Sequence, residues 1–157
     1  MTRLSNCHAL VDRGIPQAPV GLGRWYENGE GIDRDWLCKH FQSIYLIEGF
    51  GTAVDQARAS SFLRQLAHDG HSDSRLWLGW CHRYHWGVVT AWLHASRCFS
   101  KSANQDYPYG QFMVGYSYFN QIGVPRDYTR AIEWYRKSAD QNLEWSIEGL
   151  KELGQWH

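Results

Sequence analysis

Two pairs of histidines are the residues of this chain best spaced for chemistry. His82 and His85 stand three apart beside Cys81, and His68 and His71 stand three apart upstream. Imidazoles at i and i+3 of a helix share a face and can hold a zinc-type cation, with a thiolate as a further ligand. The pattern at His82 and His85 brings no carboxylate and no second cysteine pair, so packing is the simpler reading there. The glycine turns Gly29-Glu30-Gly31 and Gly49-Phe50-Gly51 invite comparison with phosphate loops. Neither continues into G-K-[ST] or G-x-G-x-x-G, and no strand precedes them, so they read as turns that end helices. Asp33 and Asp35 pair two carboxylates, but within a capping turn. G-x-S-x-G, H-E-x-x-H and an EF-hand ligand ladder are missing from the sequence. The chain therefore reads as a non-enzyme without cofactor or metal. A small-ligand site, metal site or enzyme around His82 and His85 is the alternative.

Composition narrows the partners. Lys plus Arg and Asp plus Glu each number 16 in 157 residues, a formal net charge of zero. A nucleic-acid surface or a polybasic membrane anchor needs a basic excess. No apolar run reaches the length of a bilayer span, and the N-terminal residues lack the apolar core of a secretory signal. Cys7, Cys38, Cys81 and Cys98 follow no regular framework, which points to reduced thiols in the cytoplasm. Cys81 and Cys98 lie at similar distances either side of a helical turn. Antiparallel helices would bring them together, so a disulfide between them stays open. Nine Trp, nine Tyr and six Phe supply large side chains for helix interfaces and for sticky surfaces alike.

What positions these residues is a period of 36. Gly115 answers Gly79, Gly123 answers Gly87, Ala131 answers Ala95, Tyr135 answers Phe99, and Ser138-Ala139 answers Ser102-Ala103. A period of this size indicates stacked supersecondary units. Each unit splits into two helices. In the last one these are Phe112–Asn120 and Tyr128–Asp140, with Gly123 and Pro125 ending the first and Asp127 capping the second. The register reaches upstream to Asp55, Ala59, Phe62 and Leu66, and again to Leu22-Gly23, Tyr26 and Gly29–Gly31. It fails between Gly31 and Gly51, where a single helix, roughly Trp36–Ile47, replaces two. The expected fold is all-α: an α/α superhelical solenoid of antiparallel helix pairs in one domain, 1–157. Residues 1–16 form an N-terminal capping helix, 17–142 the repeats with one unit truncated near 31–51, and 143–157 a C-terminal capping helix.

The string of residues from Leu22 to Asn142, above all GVPRDYTRAIEWYRKSADQN, resembles the Sel-one-like repeat (SLR) family, relatives of tetratricopeptide repeats. Gln121, His85 and Ala91 depart from its pattern at two turn glycines and one capping aspartate. The resemblance implies that first helices line a concave face and second helices a convex one. It also implies an adaptor, a scaffold, or a specific inhibitor of the immunity type, binding a protein or peptide in the groove.

One stripe has no role in that packing as read from sequence. With Leu78 turned to the core, Leu76, Trp80 and Arg83 point the other way, flanked by Trp77 and Tyr84. One unit on, Phe112, Tyr116 and Phe119 occupy the same positions, and Arg24 does so in the first unit. Aromatic and arginine anchors are common at binding hot spots, so these residues are the candidate partner contacts. Cover by neighbouring helices, or self-association of a structural oligomer, would also account for the stripe.

Overall fold

The computed structural model describes residues 34–49, 53–89 and 91–156, and among them every regular element is an α-helix. In chain order these are α1 (Arg34–Glu48), α2 (Gln56–His68), α3 (Ser72–Tyr84), α4 (Trp92–Ala103), α5 (Pro108–Asn120), α6 (Tyr128–Ala139) and α7 (Glu144–Glu152). Each packs on its neighbours in sequence, and α3 also touches α5. This is an all-α repeat solenoid.

Local chemistry repeats with the period. Asp55 and Asp127 cap α2 and α6, their side chains accepting the N–H of Arg58 and Arg130 at 3.0 Å. Ala91, the departure at this position, leaves α4 without a side-chain cap. The two turn-glycine departures keep their geometry: His85 and Gln121 both end their helices in the left-handed conformation, at φ 62° and 60°. Pro108 extends the first helix of the last unit one turn upstream of the expected Phe112, because its fixed φ suits an opening helical position.

Among the described residues the core forms a stack of three clusters. Ala59, Ala95 and Ala131 are fully buried at the same position of α2, α4 and α6, one helical turn before Leu63, Phe99 and Tyr135. Those larger side chains define the clusters, with Leu78 and Cys81 beside Leu63, Leu76 and Met113 beside Phe99, and Leu150 beside Tyr135. Glycine permits the closest approach: a Cβ on Gly79 would sit 2.4 Å from the Phe99 ring, and one on Gly115 2.7 Å from the Tyr135 ring. Buried serines tie unit to unit. Ser102 donates to the Ser72 carbonyl and Ser138 to the Pro108 carbonyl, at 2.9 and 2.8 Å. Gln105 and Gln141 donate in the same way to the carbonyls of Gly70 and Asp106.

Where the period fails, the described residues form the single helix α1. The closing helix α7 also lies within the expected 143–157 span. The expected N-terminal helix, the first repeat and Arg24 lie outside the described residues.

Candidate interaction surface

The last turn of α3 carries Trp80, Arg83 and Tyr84, and spacings of three and four put them on one side of the helix. Phe112 and Tyr116 do the same on α5. Because α3 and α5 touch, the two sets merge. Trp80 stacks on Tyr84 with ring centroids 5.6 Å apart and 8° between planes, and Tyr84 stacks on Trp86 at 5.1 Å. On the far side Tyr116 meets Phe112 at 6.0 Å, Phe112 meets Trp145 of α7 at 5.8 Å, and Trp145 meets Tyr109 at 5.6 Å. Arg83 bridges the two halves. Its guanidinium carbon lies 5.3 Å from the Trp80 ring centre, 5.2 Å from Tyr84 and 5.1 Å from Tyr116. Such contacts contribute about 0.5–1 kcal/mol each at exposed sites and more when desolvated. The result is a continuous aromatic strip across α3, α5 and α7 with one arginine set into it.

Among the described residues the ion pairs are His40–Asp73 and Arg130–Asp127, so no carboxylate neutralises Arg83. The strip is accessible: Tyr84 is 47% and Trp145 55% exposed, while Trp80, Arg83, Phe112 and Tyr116 are half-buried.

A second polar arrangement lies inside the protein, where α1 meets α3. His40 is fully buried, with Nδ1 3.0 Å from Ser74 Oγ. Its Nε2 stands 2.8 Å from Asp73 Oδ2, although the N–H does not point along that line. The Tyr107 hydroxyl donates to Asp73 Oδ1 at 2.8 Å. Burial raises the Asp73 carboxyl, but the charge and contact of His40 and the bond from Tyr107 outweigh it and hold the group below its ordinary 3.8. Burial and the facing Asp73 carboxylate push the Tyr107 hydroxyl far up, so it remains a donor. Serine, histidine and aspartate meet here as in a hydrolase triad. Ser74 and His40 are both fully buried, however, so the trio is sealed from substrate and locks α1 to α3.

The structure sorts the sequence-derived residues. It gathers Trp80, Arg83, Tyr84, Phe112 and Tyr116 in the strip. Leu76 is a correction: it is only 6% exposed, in the Phe99 cluster. A single inward direction at Leu78 would leave one buried flank, whereas α3 packs against α2, α4 and α5. Trp77 turns toward α1, its ring edge-on to His40 at 6.5 Å. Phe119 lies away from Arg83, against Tyr128 at 5.4 Å. Tyr109, Trp145 and Trp86 belong to the strip and were missed. Trp145 stands one period after Tyr109, so the repeat itself carried the signal.

His82 packs against His94 of α4, ring centroids 5.4 Å apart, and contacts the Val89 carbonyl at 3.3 Å. Burial first, with smaller effects of His94 and Arg64, lowers its pKa against the opposing Val89 bond. Among the described residues no three His, Cys, Asp or Glu side chains gather as a metal site would need, and no helix is long and apolar enough to cross a membrane. Cys81 and Cys98 share one core cluster, as the hairpin geometry predicts, with both thiols free.

Comparison with known proteins agrees with this architecture. The family model for the Sel1 repeat matches residues 16–35 and 108–143. The chain is 28% identical to a Sel1 repeat protein from Oxalobacter formigenes, over 75% of this chain and 89% of that one, with a TM-score of 0.66. It is 25% identical to a protective antigen of uropathogenic Escherichia coli that displays an SLR fold, with a TM-score of 0.69. That match covers 96% of this chain but spans only 36% of the antigen's length. Sel1 repeat proteins are generally protein-interaction modules. In its period, its helix pairs and these likenesses, the chain is similar to Sel1 repeat proteins and shares their SLR fold.

Proposed function

We propose that this chain binds a partner protein through the aromatic strip of α3, α5 and α7, acting as an adaptor, a scaffold or an inhibitor of one partner. The carrying observation is Arg83, half-buried among Trp80, Tyr84 and Tyr116 with no carboxylate among the described residues to neutralise it. Core packing does not require that arrangement. Rigid aromatic rings with an arginine between them are what hot spots are made of. The scattered cysteines support the cytoplasm as its compartment.

The test is quantitative affinity capture from cells of the source organism. The wild type is compared with Trp80→Ala, Tyr116→Ala and Phe119→Ala. Trp80→Ala and Tyr116→Ala should lose the enriched partner while far-UV circular dichroism stays that of the wild type. Phe119→Ala, which lies off the strip, should retain it. Undiminished capture by the first two would refute the strip. Light scattering over a range of concentrations separates partner binding from self-association, which would make the apparent mass rise.

A further inference from the structure

We infer that Arg83 is a carboxylate-reading position: the strip takes an extended peptide segment of a partner protein, with an Asp or Glu side chain seated on Arg83 and apolar side chains on Phe112 and Trp145. This rests on the strip being the contact surface, and adds the chemistry of what it contacts.

The argument starts from what the guanidinium does not do. It lies close to three rings, while its five N–H donors have no acceptor among the described residues. The other basic side chains of α3 are occupied: Arg75 donates to the Ala67 carbonyl and to Gln105, and His82 contacts the Val89 carbonyl. No charged residue occurs in α5. At the far end α7 carries Glu144, Glu148 and Glu152 against Lys151. Among the described residues the strip thus offers one free positive charge at its α3 end and a net negative charge at its α7 end.

That distribution selects among anions. A carboxylate carries one charge and two oxygens at the spacing of the guanidinium fork, so the pair is neutral and bidentate. A phosphorylated side chain brings close to two negative charges and would leave one uncompensated. Single-stranded nucleic acid also stacks on aromatic rings, but it carries a charge at every nucleotide and would run from Arg83 into the glutamates of α7. The half-buried aromatic setting strengthens a charge-assisted bond relative to open water.

The experiment is selection of phage-displayed random dodecapeptides on the full-length chain, on Arg83→Gln and on Phe112→Ala, with thermal unfolding to show that each variant is folded. The wild type should enrich Asp or Glu next to aromatic or aliphatic residues. Arg83→Gln should still enrich apolar residues but lose the acid. The selected peptide is then synthesised with an amidated C-terminus. Replacing its acid by Gln, or Arg83 by Gln, should weaken binding by about tenfold to a hundredfold, as expected for a hydrogen bond to a charged group. Arg83→Lys should recover part of the loss, keeping the charge without the fork. Equal acid enrichment on the wild type and Arg83→Gln would overturn the inference and leave the strip standing. So would stronger binding of a phosphoserine version, or peptides that bind only with a free C-terminal carboxylate. A uridine dodecamer binding more tightly than the peptides would replace a protein partner with nucleic acid. Peptides that bind Phe112→Ala as well as the wild type, or no selected peptide at all, would sink the strip itself and this inference with it.

Discussion

Two glycines with nearly the same backbone but different surroundings give a test of how tightly the units are packed. Gly123 has φ 67° and Gly154 has φ 63°, both in the left-handed region. Alanine at either position carries the same intrinsic strain, roughly 1–2 kcal/mol. A Cβ on Gly154 would meet nothing within 4 Å, whereas one on Gly123 would lie 2.2 Å from the carbonyl oxygen of Trp92, the first residue of α4. That neighbour is backbone and cannot rotate away, so the α5–α6 turn must lift off the start of α4. Forced overpacking adds about 1–3 kcal/mol. Gly123→Ala should therefore lose roughly 2–5 kcal/mol, against at most about 2 for Gly154→Ala. At about 2–4 °C per kcal/mol for a chain of this size, the two variants should differ in Tm by several degrees in thermal unfolding followed by circular dichroism. The same geometry recurs one unit earlier, where a Cβ on Gly87 would stand 2.1 Å from the Gln56 carbonyl oxygen, so Gly87→Ala should track Gly123→Ala. If Gly123→Ala and Gly154→Ala unfold at the same temperature, the turn does not rest on α4 and the account of unit-to-unit packing is wrong.

Three further outcomes follow from the interior. Phe99→Ala empties a fully buried ring position in the middle cluster and should cost about 3–5 kcal/mol in urea unfolding; under 1 kcal/mol would mean that the cluster is not a packed core. Asp73 titrates below its ordinary value in the folded state, so its stabilisation is complete above about pH 4 and fades as pH falls through the lower folded value. Asp73→Asn should be markedly less stable at pH 7, by roughly 3–5 kcal/mol, with the gap to wild type narrowing below pH 4; a pH-independent gap would rule out an ionised Asp73. Burial pushes the Cys81 thiol up to about 12, so at pH 8 it should react with a thiol reagent roughly a thousandfold more slowly than an ordinary cysteine until the protein is unfolded, as read by mass-spectrometric mapping.

The parts of the structure legible in the sequence are those that repeat. Ala59, Ala95 and Ala131, the capping Asp55 and Asp127, and the turn glycines Gly87 and Gly123 recur because each unit solves the same packing problem. The single helix α1 was legible as a failure of the period. Its means of attachment was not, since His40 and Asp73 are 33 positions apart in sequence and meet only when α1 docks on α3. Helical periodicity placed Trp80, Arg83 and Tyr84 on one face. It misplaced Leu76, because period alone cannot say how many sides of an inner helix are covered. It also passed over Tyr109 and Trp145, since the stripe was followed from Leu76 and not from Asp73, the position 36 residues before Tyr109.

The unit-to-unit bonds carry a mechanical consequence. Ser102 reaches back to Ser72, Ser138 reaches back to Pro108 and accepts from Ser146 of the next helix, and the glutamines span one junction each. Helices beyond the next-nearest share little, so the array can flex by small rotations summed over its junctions, as a spring does. A ligand lying across Trp80, Phe112 and Trp145 would tie α3 to α7 like a string across a bow. Its grip would then depend on the curvature of the whole array as much as on any single side chain, and a change at a distant junction could loosen it without touching the strip.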